Sequence, residues 1–150
     1  IPVPSSIDTK RYISRPFWTS EFPSILAAAD LVVSRSGAGA LWEFAALGKA
    51  SYLLPLSGSG TRGDQVRNAA FFRGQGAAAG PGMKDTGPGR IGTGDELPLE
   101  LPPAKVFSDD LNALADEPER LRTMEEKAGR LFRTGAAQLI AARILETAGV

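Results

Sequence analysis

The chain has 150 residues, enough for one domain with a useful core. Hydrophobic residues make up 43% and charged residues 23%, a balance that excludes a disordered chain. The 17 basic and 17 acidic residues cancel, which argues against bulk nucleic-acid binding, and the lack of cysteine and histidine excludes a disulfide framework, thiolate or imidazole metal ligands and histidine-based catalysis within this chain.

The absence of cysteine fits a reducing cytosol. No apolar run reaches the roughly 18 residues of a membrane span, and no signal peptide is visible. The first residue is Ile1 and not methionine, so the chain reads as a piece of a larger protein.

In chain order, Ile1–Lys10 reads as a loop and Arg11–Ser14 as a short strand. Arg15–Thr19 is a turn carrying aromatics. Ser20 is placed to cap a helix that tolerates Pro23 in its first turn, with Phe22, Ile25, Leu26 and Ala29 as its apolar stripe. Leu31–Val33 is a compact run of β-type residues, suited to a strand buried on both faces. Ser36–Gly39 follows as a glycine-rich turn whose glycines permit positive φ and leave backbone N–H groups uncovered. Ala40–Leu47 reads as helix, with Leu41, Phe44, Ala45 and Leu47 near one face and Trp42 and Glu43 pointing elsewhere. Gly48 stands where a C-terminal helix cap belongs, and Ser51–Leu54 is a second strand stopped by Pro55. Strand, helix, strand is the βαβ unit of a parallel sheet.

Leu56–Asp64 is then a polar, glycine-rich loop. Gln65–Arg73 reads as helix packed through Val66, Ala69, Ala70 and Phe72, ended by Gly74 and Gly76, with Ala77–Ala79 as a short strand. Gly80–Pro103 breaks the pattern with dense glycine and proline; an unstructured insertion over 80–104 and a functional lid are the two readings. Lys105–Phe107 is expected to recover a strand end, and Ser108 to cap a short helix with Asp109 and Asp110 in its first turn and Leu111 and Leu114 on its apolar side. Glu117-Pro118-Glu119 starts a helix carrying Leu121, Met124, Ala128 and Leu131. Gly135 divides it from a last helix with Leu139, Ile140, Ile144 and Leu145. The charges of Glu119–Arg133 read as a solvated face. The predicted fold class is α/β: a Rossmann-like parallel sheet with flanking helices over a single domain 1–150, with carboxyl-terminal helices over 108–150.

Successive parallel strands place their following loops on one rim, where ligands of open α/β sheets bind. Ser36–Gly39 and Ser57–Gln65 are therefore expected to face one crevice. They offer backbone amides at a helix N-terminus, the hydroxyls of Ser36, Ser57 and Thr61, and the side chains of Arg62, Asp64 and Gln65. The set suits an anionic, hydroxyl-rich ligand, with a diphosphate at the helix end. The other reading is that the glycines serve tight βα packing. Glu43 fits two roles: a carboxylate for the vicinal hydroxyls of a ribose, or an acid that complements the helix dipole.

The stretches AAADLVVSRSGAGALWEFAALGKASYLLPL and TRGDQVRNAAFFRGQGAA, with PFWTSEFPSILAAADLVV upstream, closely resemble the carboxyl-terminal half of the MurG family. These are UDP-N-acetylglucosamine transferases of glycosyltransferase family 28 that make lipid II for peptidoglycan. The resemblance is strong over Tyr12–Ala79 and looser over Ser108–Val150. Its most specific part is the pairing of S-G-A-x-x-x-x-E with R-G-D-Q-x-x-N-A. It implies the carboxyl-terminal, donor-binding half of a two-domain GT-B enzyme. It sets Phe17, Trp18 and Thr19 beside the uracil. It sets Ser36, Gly37, Ala38, Gly39 and Ala40 near the diphosphate and sugar, and Glu43 on the ribose hydroxyls. Asp64 and Gln65 face the GlcNAc hydroxyls, and Asn68 supports that loop or the ligand.

The resemblance implies UDP-GlcNAc as donor, lipid I as acceptor through an amino-terminal domain, and no cofactor or metal. No catalytic residue is assigned within this chain, which alone is expected to bind weakly or not at all and not to turn over. A bacterial, cytoplasmic enzyme peripheral on the inner face of the plasma membrane is expected. The alternatives are a non-catalytic or degenerate UDP-sugar-binding module that needs a partner chain, or a related UDP-sugar:lipid glycosyltransferase.

Overall fold

The computed structural model describes residues 12–56, 63–81 and 101–149. Its elements run α1 (Phe22–Ala28), β1 (Val32–Ser34), α2 (Ala38–Ala46), β2 (Ser51–Leu53), α3 (Asp64–Gly74), β3 (Ala78–Ala79), α4 (Ala104–Ala115), α5 (Pro118–Leu131) and α6 (Ala136–Ala148). The predicted parallel α/β class is what forms. The strands lie in the order β1-β2-β3, with Val32 opposite Ser51, Ser34 opposite Leu53 and Ser51 opposite Ala78, all parallel.

β2 is the central strand, and Ser51, Tyr52 and Leu53 are all buried. Strand alternation sends Leu53 to one face and Tyr52 to the other. Leu53 and Ala78 meet Leu26 of α1, Leu41, Phe44 and Ala45 of α2, and Ala69 and Phe72 of α3. Tyr52 and Ala79 meet Leu114 of α4 and Met124 of α5, with Phe107, Leu111 and Leu121 around them. The sheet is thus covered on both sides along β2 and β3, as parallel pairing favours, whereas β1, expected to be buried on both faces, is an edge strand that leaves Val33 42% exposed.

Two helix ends set the strand entries. After α2, Gly48 takes φ 60°; its N–H donates to Ala45 C=O (3.1 Å) and that of Lys49 to Phe44 C=O (2.8 Å). After α3, Gly76 takes φ 69°, with Gly76 N–H to Arg73 C=O (2.8 Å) and Ala77 N–H to Phe72 C=O (3.0 Å). Both are Schellman motifs, and both need a residue that tolerates the left-handed region. Lys49 also donates through Nζ to Ala27 C=O (2.7 Å) and Ala29 C=O (3.1 Å), which pins the end of α1 at the amino edge of the sheet.

Four local expectations are corrected. Tyr12–Ser14 forms no strand and is exposed; Arg11 lies outside the described residues. Ser20 does not cap α1, whose N-cap is Glu21 without a side-chain bond. Lys105–Phe107 is helix, because Phe107, Leu111 and Leu114 recur at helical spacing and lie against Tyr52. Ser108 is then inside α4, which starts after Pro103, so Asp109 and Asp110 are not first-turn acids. Asp109 pairs with Lys105 (2.7 Å) at the surface. Residues 1–10, Ser57, Thr61, Arg62 and most of the Gly80–Pro103 stretch lie outside the described residues.

Asp110 has a distinct task. Its Oδ2 accepts the Tyr52 hydroxyl at 2.6 Å, while the Tyr52 ring packs edge-on against Phe107 with centroids 5.6 Å apart. Burial, and next the bond to Asp110 and its charge, push the Tyr52 phenol above its ordinary value. The folded state therefore holds this proton more tightly than the unfolded one. The stabilisation is complete below the unfolded pKa of about 10 and is lost as pH rises beyond it. Tyr52→Phe should cost about 1 kcal/mol near neutral pH. It should also flatten the alkaline fall in stability, read as urea midpoints at pH 8 and pH 10.5; an equal alkaline fall in both proteins would sink this account.

The charged side of α5 is solvated, as expected: Arg120–Glu117, Arg122–Glu119 and Arg130–Glu126 pair at the surface. α6 differs from its expected packing. It buries no residue, and Leu139, Ile140, Ile144 and Leu145 are all exposed. Among the described residues no helix is long and apolar enough to cross a membrane.

Candidate functional site

The exits of β1 and β2 lie side by side, with Leu54 N–H donating to Ser34 C=O at 2.9 Å. Everything that follows these strands therefore starts at one rim of the sheet. After β1 comes Arg35-Ser36-Gly37, and α2 begins at Ala38 with Gly37 as its N-cap. Among the described residues no side chain caps this end. The first-turn N–H groups remain open to a partner, at the positive end of the helix dipole.

The positive φ that these glycines permit is not used. Gly37 has φ −66° and Gly39 lies in the first helical turn; neither is among the positive-φ glycines. A Cβ added at either would meet nothing within 4 Å. What glycine supplies here is bare backbone facing open space. Ala38 and Gly39 are exposed, whereas Ala40 packs against the core, so Ala40 offers its backbone and not its side chain to this rim.

Glu43 lies on the exposed side of α2, four residues after Gly39 and so on the same face. No hydrogen bond or ion pair engages its carboxylate among the described residues. α2 has no acid in its first turn, and dipole stabilisation fades beyond that turn. The helix-dipole reading of Glu43 therefore fails. A free carboxylate stands about one helical turn, about 5–6 Å, from the uncapped amides.

α3 begins on the same rim. Its N-cap Gly63 takes φ 69°, and Asp64 is the first helical residue. Asp64 pairs with Arg67 at 2.6 Å, both side chains exposed. Gln65 Oε1 accepts Leu56 N–H at 2.9 Å, which fixes the amide orientation and leaves Nε2 as a donor. Ser36 is fully buried, and its hydroxyl donates to Gln65 C=O at 2.7 Å. Asn68 Nδ2 donates to Ser36 C=O at 3.0 Å. The structure thus brings together Ser36–Ala40, Asp64, Gln65 and Asn68.

Phe17, Trp18 and Thr19 precede α1, whose C-terminal end is the one held by Lys49 at the amino edge of the sheet, so its N-terminal end points toward the opposite rim. Phe17 is 86% exposed. Arg15 lies 5.0 Å from the centroid of the Trp18 ring, and Thr19 Oγ1 donates to Glu21 Oε2 at 3.3 Å. Among the described residues no hydrogen bond links Phe17–Thr19 to Glu43 or to the turn after β1.

One rim residue escaped the sequence reading. Arg35 Nη1 donates to Leu54 C=O at 3.1 Å and straps the exit of β1 to that of β2. The available signal was a lone cation between a strand and a glycine-rich turn. A groove of ≈ 540 Å³ bordered by Trp42, Phe71, Arg130 and Phe132 includes none of the candidate residues.

Comparison with known proteins bears on this rim. The family model described as the glycosyltransferase family 28 C-terminal domain matches residues 7–91, which include every candidate residue from Phe17 to Asn68. A protein of Treponema pallidum (strain Nichols) is 52% identical over 67 residues, covering 45% of this chain and 17% of that protein. A protein of Rhodopseudomonas palustris (strain BisA53) is 38% identical over 135 residues, covering 90% of this chain and 31% of that protein. One of Bradyrhizobium sp. (strain BTAi1 / ATCC BAA-1182) is 38% identical over 136 residues, covering 91% and 32%. All three are named UDP-N-acetylglucosamine--N-acetylmuramyl-(pentapeptide) pyrophosphoryl-undecaprenol N-acetylglucosamine transferase. The chain spans about a third or less of the length of these relatives.

Proposed function

Because the chain belongs to the family of the glycosyltransferase family 28 C-terminal domain, we infer that it is the donor-binding half of a GlcNAc transferase that converts lipid I to lipid II. The observation that carries this reading is the pairing of an uncapped α2 N-terminus with a free Glu43 carboxylate one turn along the same face. That spacing fits a nucleoside diphosphate, with phosphates on the helix-end amides and ribose hydroxyls on the carboxylate. Phe17, Trp18 and Thr19 flank the uracil. Ser36–Ala40 form the diphosphate turn, where Gly37, Ala38, Gly39 and Ala40 supply backbone. Asp64, paired with Arg67, accepts from sugar hydroxyls, and Gln65 donates to them through Nε2.

The reaction is an inverting transfer of GlcNAc to a muramyl 4-hydroxyl. The bond from the anomeric carbon to the diphosphate breaks, and UDP leaves with the added negative charge. The α2 amides stabilise that charge where it develops. The acceptor, the base that takes its proton, and contact with the inner face of the bacterial plasma membrane belong to parts of such an enzyme outside this chain.

Calorimetric titration of the chain with UDP-GlcNAc, UDP-glucose and free UDP tests the reading. Saturable binding that prefers UDP-GlcNAc would make the chain a self-sufficient donor module, beyond the weak or absent binding expected of it alone. A preference for UDP-glucose would move the chain to a related sugar–lipid transferase, and no binding by a folded chain would overturn it as a self-sufficient donor module. Gln65→Glu keeps the acceptor for Leu56 N–H and removes the Nε2 donor. It should lower UDP-GlcNAc affinity about tenfold, as loss of one hydrogen bond does, and weaken free UDP less, through the charge it adds near the diphosphate.

A further inference from the structure

Ser36 and Asn68 stand in a family motif at the donor rim, yet the Ser36 hydroxyl and the Asn68 amide nitrogen are both engaged inside the protein. Ser36 has no exposed surface, and its hydroxyl proton goes to Gln65 C=O at 2.7 Å. Its own carbonyl accepts Asn68 Nδ2 at 3.0 Å. One residue of the β1–α2 turn is thus held by two residues of the first turns of α3, 29 and 32 positions further along the chain. A third bond, from Leu56 N–H to Gln65 Oε1 at 2.9 Å, ties the exit of β2 to the same point. Three segments that meet only at this rim converge on Gln65 and Ser36.

We propose that Ser36 and Asn68 are positioning residues that fuse the N-termini of α2 and α3 into one preorganised surface. They act through the Gly37–Ala40 amides on one side and the Gln65 side chain on the other. The α2 end has no side-chain cap and Gly63 gives α3 none, so neither helix end is held by its own residues. Donors aimed at developing charge work only when their direction is fixed beforehand. The Ser36–Gln65–Asn68 bonds fix it. A nucleotide on α2 therefore meets Asp64 and Gln65 already in register for its sugar. This account rests on the donor-site reading above and assigns Ser36 a bond inside the protein in place of one to the diphosphate.

The test compares the full chain with Ser36→Ala, Ser36→Thr, Asn68→Ala and the Ser36→Ala/Asn68→Ala double variant. Ligand-free amide exchange is read at Leu56 and Leu41, and free UDP and UDP-GlcNAc are titrated. Each alanine variant should speed Leu56 exchange about tenfold, the loss of one buried bond, although neither side chain touches Leu56. Ser36→Thr keeps the hydroxyl and should stay near the parent. Both alanine variants should weaken UDP and UDP-GlcNAc alike, and the double variant should be no worse than either single one. Unchanged Leu56 exchange in both alanine variants overturns the proposal. So does an Asn68→Ala variant that weakens UDP-GlcNAc but leaves free UDP untouched, since Asn68 would then be a sugar contact. If Ser36→Ala does not fold, Asn68→Ala alone decides by the same two readouts. If the parent chain binds neither nucleotide, it is not a self-sufficient donor module, and exchange at Leu56 still decides whether the clamp exists.

Discussion

In a complete enzyme Glu43→Ala should weaken UDP binding by about 1–3 kcal/mol, roughly 5- to 150-fold, with no measurable change in folding stability. The two halves of this expectation have separate causes. Glu43 is exposed and engages no other residue among those described, so its removal breaks nothing inside the protein. Exposed substitutions of this kind usually stay within about 0.5 kcal/mol. The binding loss comes from two hydroxyl-to-carboxylate bonds, which are charge-assisted and stronger than neutral ones. Glu43→Gln keeps one acceptor oxygen and should fall between parent and alanine. Titration with UDP and with uridine monophosphate reads both variants, and urea unfolding checks the stability half. An unchanged UDP affinity for Glu43→Ala would remove Glu43 from the ribose site and leave it as a surface acid.

The alternative for Glu43 illustrates what the sequence could and could not tell. From spacing alone, a helix acid and a ribose ligand look the same. They separate once α2 is seen to begin at Ala38, which puts Glu43 beyond the first turn, where the dipole effect has faded. The strand–turn–helix–strand unit itself was legible because its signals are local: a run of β-type residues, a glycine past the helix, and a proline after the second strand. The packed side of α3 was legible for the same reason, and Val66, Ala69, Ala70 and Phe72 are all buried.

Two of the misses have their physical origin in partners distant along the chain. Val106 and Phe107 carry a strand-like preference, but Phe107 is fixed by Tyr52, whose place on the central strand local propensity does not report. Ser36 looks like an available hydroxyl in a glycine-rich turn, and only the fold reveals that its proton is committed to Gln65. The glycines at 37 and 39 suggested an unusual backbone, whereas ordinary φ with no neighbouring atoms is what they adopt. α6 carries a well-formed apolar pattern, yet nothing among the described residues covers it. Periodicity predicts which side of a helix is apolar, not whether that side is buried.

The same distinction within α2 sets the largest effect expected on the fold. Phe44→Ala should cost about 3–5 kcal/mol, and Leu47→Ala less than about 1 kcal/mol. Both residues were expected on one apolar face. Phe44 is 4% exposed and packs among Leu26, Leu41, Leu53 and Phe72. Leu47 is the C-cap, where the chain turns away, and is 42% exposed. Removing the Phe44 ring leaves a void beneath the helix that carries the uncapped amides and Glu43, in a domain whose total stability is on the order of 5–15 kcal/mol. Phe44→Ala should therefore lower the urea midpoint sharply. Nucleotide binding should persist at low temperature, where the folded fraction is still high, and disappear with unfolding on heating. Equal costs for the two substitutions would mean that α2 is rotated about its axis from the orientation described. Glu43 and Gly39 would then no longer face the crevice, and the two sets of measurements would fail together.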